Sequence, residues 1–316
     1  MTRVLVTGAG GYIGRAVAAR LQQQLQAGAL RSLTLLDLHF GSASATPADA
    51  RVRRIRADLR DPAALAQATE APLDVVYHLA GITSRQAEDD FALGLQVNVL
   101  ATIALFERLR SLGGCPIVVC ASSIAVYGTP LPDAIDDSTC CAPTLSYGAQ
   151  KRAIEIVLAD YSRRGWLDGR AVRLPSIVAR PAPADGALSA FASDLIREPA
   201  QGRHSICPIG PDGTLWLLSL PACVAGLLHA AGLPAGTLPP GRAWNLPALR
   251  ASAGQIVDEL CRRFGAGLAE RVEYRPVAAM QAQFAQWPAL ATDSADRLGF
   301  RHDGDLASLI DNALRN

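Results

Sequence analysis

Tyr147 and Lys151 stand four residues apart in the run Ser146-Tyr147-Gly148-Ala149-Gln150-Lys151, a spacing that puts both side chains on one face of a helix. A lysine ammonium beside a phenol stabilises the phenolate, and such a tyrosine can take the proton of an alcohol. Ser122 and Ser123 follow the apolar run Pro116 to Cys120. A hydroxyl at a strand end can hold the reacting oxygen in line and stabilise charge developing on it. We assign that role to Ser123, with the register between it and Ser122 left open. Tyr/Lys pairs at this spacing also decorate ordinary helix surfaces, so the catalytic reading depends on the company this pair keeps.

That company is a glycine-rich turn. Residues 2 to 14 read TRVLVTGAGGYIG, an apolar strand entering glycines at Gly8, Gly11 and Gly14. The order strand, glycine turn, helix suits a dinucleotide: a tight turn, close backbone approach to a pyrophosphate, and helix amides aimed at it. Tyr12 and Ile13 open the helix, which is expected to run to about Leu25. Asp37 ends the next apolar run, Leu33 to Leu36. A carboxylate there accepts hydrogen bonds from the adenosine ribose and repels a 2′-phosphate, which favours NAD over NADP. Oxidised nicotinamide would then take a hydride from the carbon whose hydroxyl Tyr147 deprotonates.

The elements that must position these groups alternate regularly. Strands are expected at Val52 to Ala57, Asp74 to Leu79, Pro116 to Cys120 and Gly169 to Leu174. Helices are expected after the Asp61-Pro62 cap, from Asp89 to Leu112 and from Ser146 to Arg164. Repeated β-α-β units predict an α/β fold, a Rossmann-like doubly wound parallel sheet with a smaller C-terminal substrate-binding region. The expected division is residues 1–175 for the NAD-binding part carrying Ser123, Tyr147 and Lys151, and 176–316 for most of the substrate region, with some segments returning to the first. Prolines and glycines crowd 181–247, where Phe191, Ile196, Trp216 and Leu217 are the apolar anchors. Helical periodicity returns at Ser252 to Phe264 and after Asp305.

Taken together, these residues resemble the extended short-chain dehydrogenase/reductase superfamily over nearly the whole chain. The resembling motifs are TGxxGxxG at Thr7 to Gly14, Asp37, Asp58-Leu59, His78-Leu79-Ala80-Gly81, Asn98, Ser123 and the Tyr147/Lys151 pair. The resemblance implies cofactor contacts at Gly8, Gly11, Tyr12, Ile13, Gly14, Asp37, Asp58, Leu59, Leu79, Ala80, Gly81, Asn98, Tyr147, Lys151 and Pro175. It places Leu174-Pro175-Ser176 near nicotinamide and substrate. Within the superfamily, segments at 86–94, 127–137, 146–181, 189–202 and 207–224 resemble enzymes that oxidise the C2 hydroxyl of a four-carbon sugar acid of the D-erythronate type with NAD. Thr83-Ser84-Arg85 departs from that pattern by placing a bulky cation where a small residue is expected. The resemblance also implies a homodimer through the helices at 89–112 and 146–164, with Ala153, Ile154, Val157 and Leu158 supplying part of an apolar face; the plainer role of that face is to cover its own sheet.

A sugar acid needs a carboxylate anchor, for which arginine's fork is suited. Arg85, Arg173, Arg180 and Arg197 are the candidates, each also readable as surface or structure. Ser84, Ser123 and Ser176 are the candidates for substrate hydroxyls, and Arg85 and Arg180 complete the substrate set. Trp216 reads as core, His78 as strand-end structure, and His204 as a loop histidine. A nucleotide-sugar 4-epimerase would use the same Ser, Tyr, Lys and NAD, and a non-catalytic NAD-binding regulator would need no tuned phenol. A dehydratase would carry an acidic pair after the active-site hydroxyl, where Ile124 and Ala125 stand. The 316 residues carry a net charge of +1, which points to no nucleic acid or acidic membrane. Seven scattered cysteines show no metal-ligand spacing and suit reduced thiols in the cytoplasm. No uncharged apolar run of about eighteen residues suggests a membrane span.

Overall fold

Val4, Leu5 and Val6 are aliphatic in succession, as a strand covered on both faces requires, and all three are buried. They belong to β1 (Thr2–Thr7) at the centre of a wholly parallel sheet in the computed structural model, which describes residues 2–41, 49–181 and 190–315. Most of the Ser/Ala/Pro loop after Asp37, most of the Pro-Ala-Pro-Ala-Asp-Gly run and the start of the 189–202 segment lie outside the described residues.

On one side of β1 lie β2 (Leu30–Asp37) and then β3 (Val52–Arg56). On the other lie β4 (Val75–His78), β5 (Ile117–Ser123), β6 (Asp168–Leu174) and the strand Ala243–Asn245. The chain therefore reverses direction across the sheet between β1 and β4, and a crevice opens there at the carboxyl ends, where doubly wound sheets bind ligands. Helix α1 (Tyr12–Gln26) and the helix Leu220–Gly232 cover one face through Val17, Leu21, Leu25, Val224 and Leu227. Helices α2 (Pro62–Ala68), α4 (Phe91–Leu112) and α5 (Ser146–Arg163) cover the other through Leu65, Leu105, Phe106, Ile154 and Leu158.

The helix expected from Asp89 to Leu112 is broken. A short helix α3 (Ser84–Asp89) ends at Asp90, whose non-helical backbone and side chain cap α4 by accepting from Leu93 N at 2.9 Å. Residues Leu95–Leu100 of α4 then form a π turn that points Asn98 inward. Among the described residues α4 is the one helix long and apolar enough to cross a bilayer by length and composition. Its Leu105, Phe106 and Leu109 are buried against the sheet. Ile154 and Leu158 of α5 are also consumed by their own core, which corrects their assignment to an outer face.

A separate core beyond the sheet gathers Trp216, Trp287, Ile256, Leu260, Leu309 and Ile310 with Ile124, Val126 and Ile135. Trp216 is fully buried and stacks on Trp287 with centroids 4.6 Å apart. Contributions cross in both directions. Ile124 to Ile135 reach over from before residue 175, while the helix 220–232 and the strand 243–245 return to the sheet.

One buried ion pair joins α5 to β6. Glu155, 1% exposed, accepts from Arg173 Nε and Nη2, both at 2.9 Å, and from Ser122 Oγ at 2.6 Å. Burial raises a carboxyl, but the bonds and charge from Arg173, with Ser122 and Arg152, hold Glu155 below its ordinary range. Removing it strands a buried guanidinium, so Glu155→Ala should lower the unfolding free energy by about 3–5 kcal/mol in urea titrations near neutral pH. Because the folded carboxyl lies below its unfolded value of 4.5, this stabilisation is complete above that pH and is lost as pH falls further. The gap between wild type and Glu155→Ala should therefore narrow in acid; a gap that widens there would refute the ionised pair.

Candidate active site

The first turn is built by approach distances that exclude side chains. A Cβ on Gly14 would stand 1.9 Å from Gly8 O, so α1 can close on the turn only with glycine there. Gly8 adopts φ +73°, and its N–H bonds to Leu36 O at 2.9 Å. Helix α1 begins at Gly11 without a capping side chain and with no acidic residue in its first turn. Its leading amides are thus left for an anion at the cleft edge formed by Gly8, Gly11, Tyr12, Ile13 and Gly14.

Asp37 stands at the end of β2 behind this turn. Its two oxygens accept from Gly10 N at 2.8 Å and His39 N at 2.9 Å, which leaves further lone pairs for ribose hydroxyls. Gly10, absent from the residues singled out by sequence, is thereby tied to the Asp37 carboxylate. Asp58 is ion-paired with Arg60 at 2.6 Å, and that hydrogen bond holds its carboxyl below the ordinary range. Leu59 is buried among the core side chains. Neither lines the cleft.

The exit of β4 supplies the opposite edge. Leu79, Gly81, Ile82, Thr83 and Ser84 line the cleft, and Ala80 N lies beneath Gly8. Asn98 does not reach the cleft, because its amide is used up inside. Oδ1 accepts from Ile82 N at 2.9 Å, and Nδ2 donates to Gln150 Oε1 at 2.7 Å and to Ile82 O at 3.3 Å. His78 is buried between Thr7 Oγ1 (2.8 Å) and Thr102 Oγ1 (2.9 Å). Thr102 gives its only hydroxyl proton to Asn98 O, so His78 donates from Nε2 and accepts at Nδ1. Burial, with the Lys151 charge nearby, pushes this imidazole down to about 3. It is a structural neutral ring.

Helix α5 carries the tyrosine and lysine. Its first free amide, Ser146 N, donates to Glu88 Oε1 at 2.5 Å. A Cβ on Gly148 would lie 2.0 Å from Ala125 O, so glycine beside Tyr147 lets α5 press against the turn that follows Ser123. Lys151 is 8% exposed, donates to Ala121 O at 2.9 Å and sits 5.6 Å from the Tyr147 ring centroid. The serine register resolves here. Ser122 is buried and its hydroxyl is spent on Glu155, whereas Ser123 is half-buried at the cleft, its Oγ accepting from Ala125 N at 3.1 Å.

The four arginines separate by environment. Arg85, one position past Ser84 on α3, is turned to solvent and lies outside the cleft, which corrects its placement in the substrate pocket. Arg173 is buried against Glu155 and donates to Tyr127 Oη at 2.9 Å. Arg197 is occupied by Asp194, Glu198 and the Arg180 carbonyl. Arg180 lines the cleft with Pro175 and Ser176, its guanidinium 5.5 Å from the Tyr12 ring centroid. The roof is made of Leu215, Gln283, Phe284 and Trp287. Sequence reading missed the last three, which come from more than one hundred residues after the catalytic helix and carry no motif.

Residues 4–216 match the NAD dependent epimerase/dehydratase family. The chain belongs to this family. It is 42% identical to D-erythronate dehydrogenase of Cupriavidus necator over 314 residues, covering 97% of this chain and 96% of that protein. Identity to D-erythronate dehydrogenase of Haemophilus influenzae is 34% over 309 residues, covering 98% and 97%. The solved nucleoside-diphosphate-sugar epimerase from Agrobacterium tumefaciens superposes with a TM-score of 0.89 at 34% identity, covering 98% of this chain and 92% of that one. The protein is an NAD-dependent oxidoreductase of the epimerase/dehydratase family, and its uncapped α1, side-chain-excluding turn and Asp37 fit that cofactor.

Asp37→Ala removes both the ribose carboxylate and the acceptor that shapes Gly10. We expect NAD affinity to fall roughly tenfold or more and discrimination against NADP to shrink. Titration of each cofactor by tryptophan fluorescence checks this, and an unchanged NAD/NADP ratio would remove Asp37 from the ribose role.

Proposed function

We propose that the protein oxidises the C2 hydroxyl of a four-carbon sugar acid with NAD, converting D-erythronate to 2-dehydro-D-erythronate. The observation that carries this reading is the near-full-length identity to two D-erythronate dehydrogenases. The cleft supports it by bringing Ser123, Tyr147, Lys151 and one arginine, Arg180, to a single wall system. Tyr147 takes the C2 hydroxyl proton, Ser123 holds that oxygen, and Lys151 stabilises the phenolate. NAD, when bound, supplies the acceptor for the C2 hydride. Arg180 pairs with the substrate carboxylate, and Ser84 and Ser176 border the same space.

A 4-epimerase of nucleotide sugars is the second reading, favoured by the likeness to the Agrobacterium structure. The two differ in bookkeeping of electrons: oxidation accumulates NADH, whereas epimerisation returns the cofactor to its starting state. We expect steady NADH formation from D-erythronate, weaker formation from L-threonate, and loss of at least a hundredfold in kcat for Tyr147→Phe with NAD binding retained. In the same assay Arg180→Met should raise KM for the acid more than it weakens NAD. No NADH from any acid, with interconversion of a nucleotide sugar, would transfer the chain to the epimerase reading.

The enzyme is further read as a cytoplasmic homodimer. All seven cysteines are free. The outer sides of α4 and α5 expose Phe91 (60%), Leu100 (53%) and Ile156 (56%), an apolar face that a second copy would cover. Sedimentation at micromolar concentration should give a dimer that Ile156→Glu disrupts; a monomeric wild type would exclude this arrangement.

A further inference from the structure

The roof of the cleft is apolar apart from one amide. Trp287 is 6% exposed and Leu215 1%, and Phe284 stands beside them in the lining. Gln283, half-buried among these side chains, makes no side-chain hydrogen bond among the described residues. A polar amide in such surroundings loses solvation when the cleft fills, and that cost is recovered only if the incoming molecule bonds to it.

The roof is held firmly enough to select. Gln281, two residues earlier on the helix Ala278–Phe284, accepts from Gly210 N at 2.8 Å. Just after Gln283, Ala285 O accepts from Thr214 N at 2.9 Å and Trp287 O accepts from Thr214 Oγ1 at 2.8 Å. Arg250 Nε donates to Trp287 O and Trp216 Nε1 to Pro288 O, each at 2.8 Å. The segment is thus fastened to Gly210 before the amide and to the strand Thr214–Ser219 after it. Gln283 is carried on a braced element instead of a free loop.

We infer that Gln283 is a specificity residue that reads the hydroxyls of the sugar acid beyond C2. A primary amide offers both a donor and an acceptor. That pair matches alcohol groups, which also donate and accept, and matches a carboxylate less well than a guanidinium does. The reacting C2 oxygen is met by Tyr147 and Ser123, and the carboxylate by Arg180. The C3 and C4 hydroxyls then remain for Ser84 and Ser176 at the walls and for the roof, where Gln283 is the polar group. This assignment rests on the sugar-acid reading of the cleft and sharpens it: the enzyme prefers a polyhydroxy acid over the deoxygenated acid of equal length.

The test compares D-erythronate with 2-hydroxybutyrate of the same C2 configuration, read as turnover or as a competitive inhibition constant, in wild type, Gln283→Leu and Gln283→Asn. The preference for D-erythronate over 2-hydroxybutyrate should fall at least about tenfold in Gln283→Leu, through KM for D-erythronate more than kcat. Gln283→Asn, which keeps the amide one methylene short and changes little volume, should fall between the two. NAD titration identifies a misfolded variant, in which case the Asn substitution decides. An unchanged preference in a variant that binds NAD overturns the role of Gln283 and leaves the dehydrogenase standing. Absence of turnover of any acid by wild type overturns the dehydrogenase and this assignment with it.

Discussion

A single carboxamide ties together the elements that must meet at the cleft. Asn98 bonds to both backbone groups of Ile82 and to Gln150, joining the exit of β4, the π turn of α4 and the helix that carries Tyr147 and Lys151. Its own carbonyl receives Thr102, which receives His78, which receives Thr7 at the end of β1. Asn98, Thr102, His78 and Thr7 are all buried, so shifting one element would leave polar atoms unpaired in the interior. Asn98 lies within the π turn, which packs it into the interior.

Around that junction the chemistry is assembled by close contact. Glycine at 14 lets α1 meet the first turn, and glycine at 148 lets α5 meet the turn after Ser123. The two approaches bring the start of α1 and Tyr147 onto one cleft. Lys151 is fixed from behind by Ala121 O and is shielded from solvent, which strengthens its field at the phenol. The neighbouring Ser122–Glu155–Arg173–Tyr127 network is buried as well, but it braces β5, β6 and α5 and leaves the Ser123 hydroxyl at the cleft.

The cleft is lined from two parts of the chain. Tyr147, Lys151 and Ser123 stand on or beside the parallel sheet and its helices, with the other lining residues between 8 and 180. The roof is drawn from residues 215 and 283–287, fastened by tryptophan stacking and backbone bonds to a small separate sheet. Such a division allows one catalytic frame to serve dehydrogenases and epimerases, since the roof can change without disturbing Tyr147 or Lys151.

The sheet order, the helices and the cofactor turn were legible because they rest on local patterns: apolar runs, glycines at fixed offsets, caps such as Asp61 before Pro62, and a Tyr/Lys pair on one helical face. The sequence by itself therefore determined the doubly wound fold, the glycine turn with Asp37 behind it, and the helix that carries Tyr147 and Lys151. Tertiary structure decided which of several chemically equal residues could act. Ser122 and Ser123 differ by one step along a strand, and that step sends one hydroxyl to Glu155 and the other to the cleft. Arg173 was taken by the buried Glu155 and Arg197 by the partly exposed Glu198 and Asp194, Arg85 was turned outward by its place on α3, and Arg180 lines the cleft. Gln283 and Trp287 could not be found by spacing, because pairing with Thr214 across some seventy residues, not any local periodicity, carries them to the site.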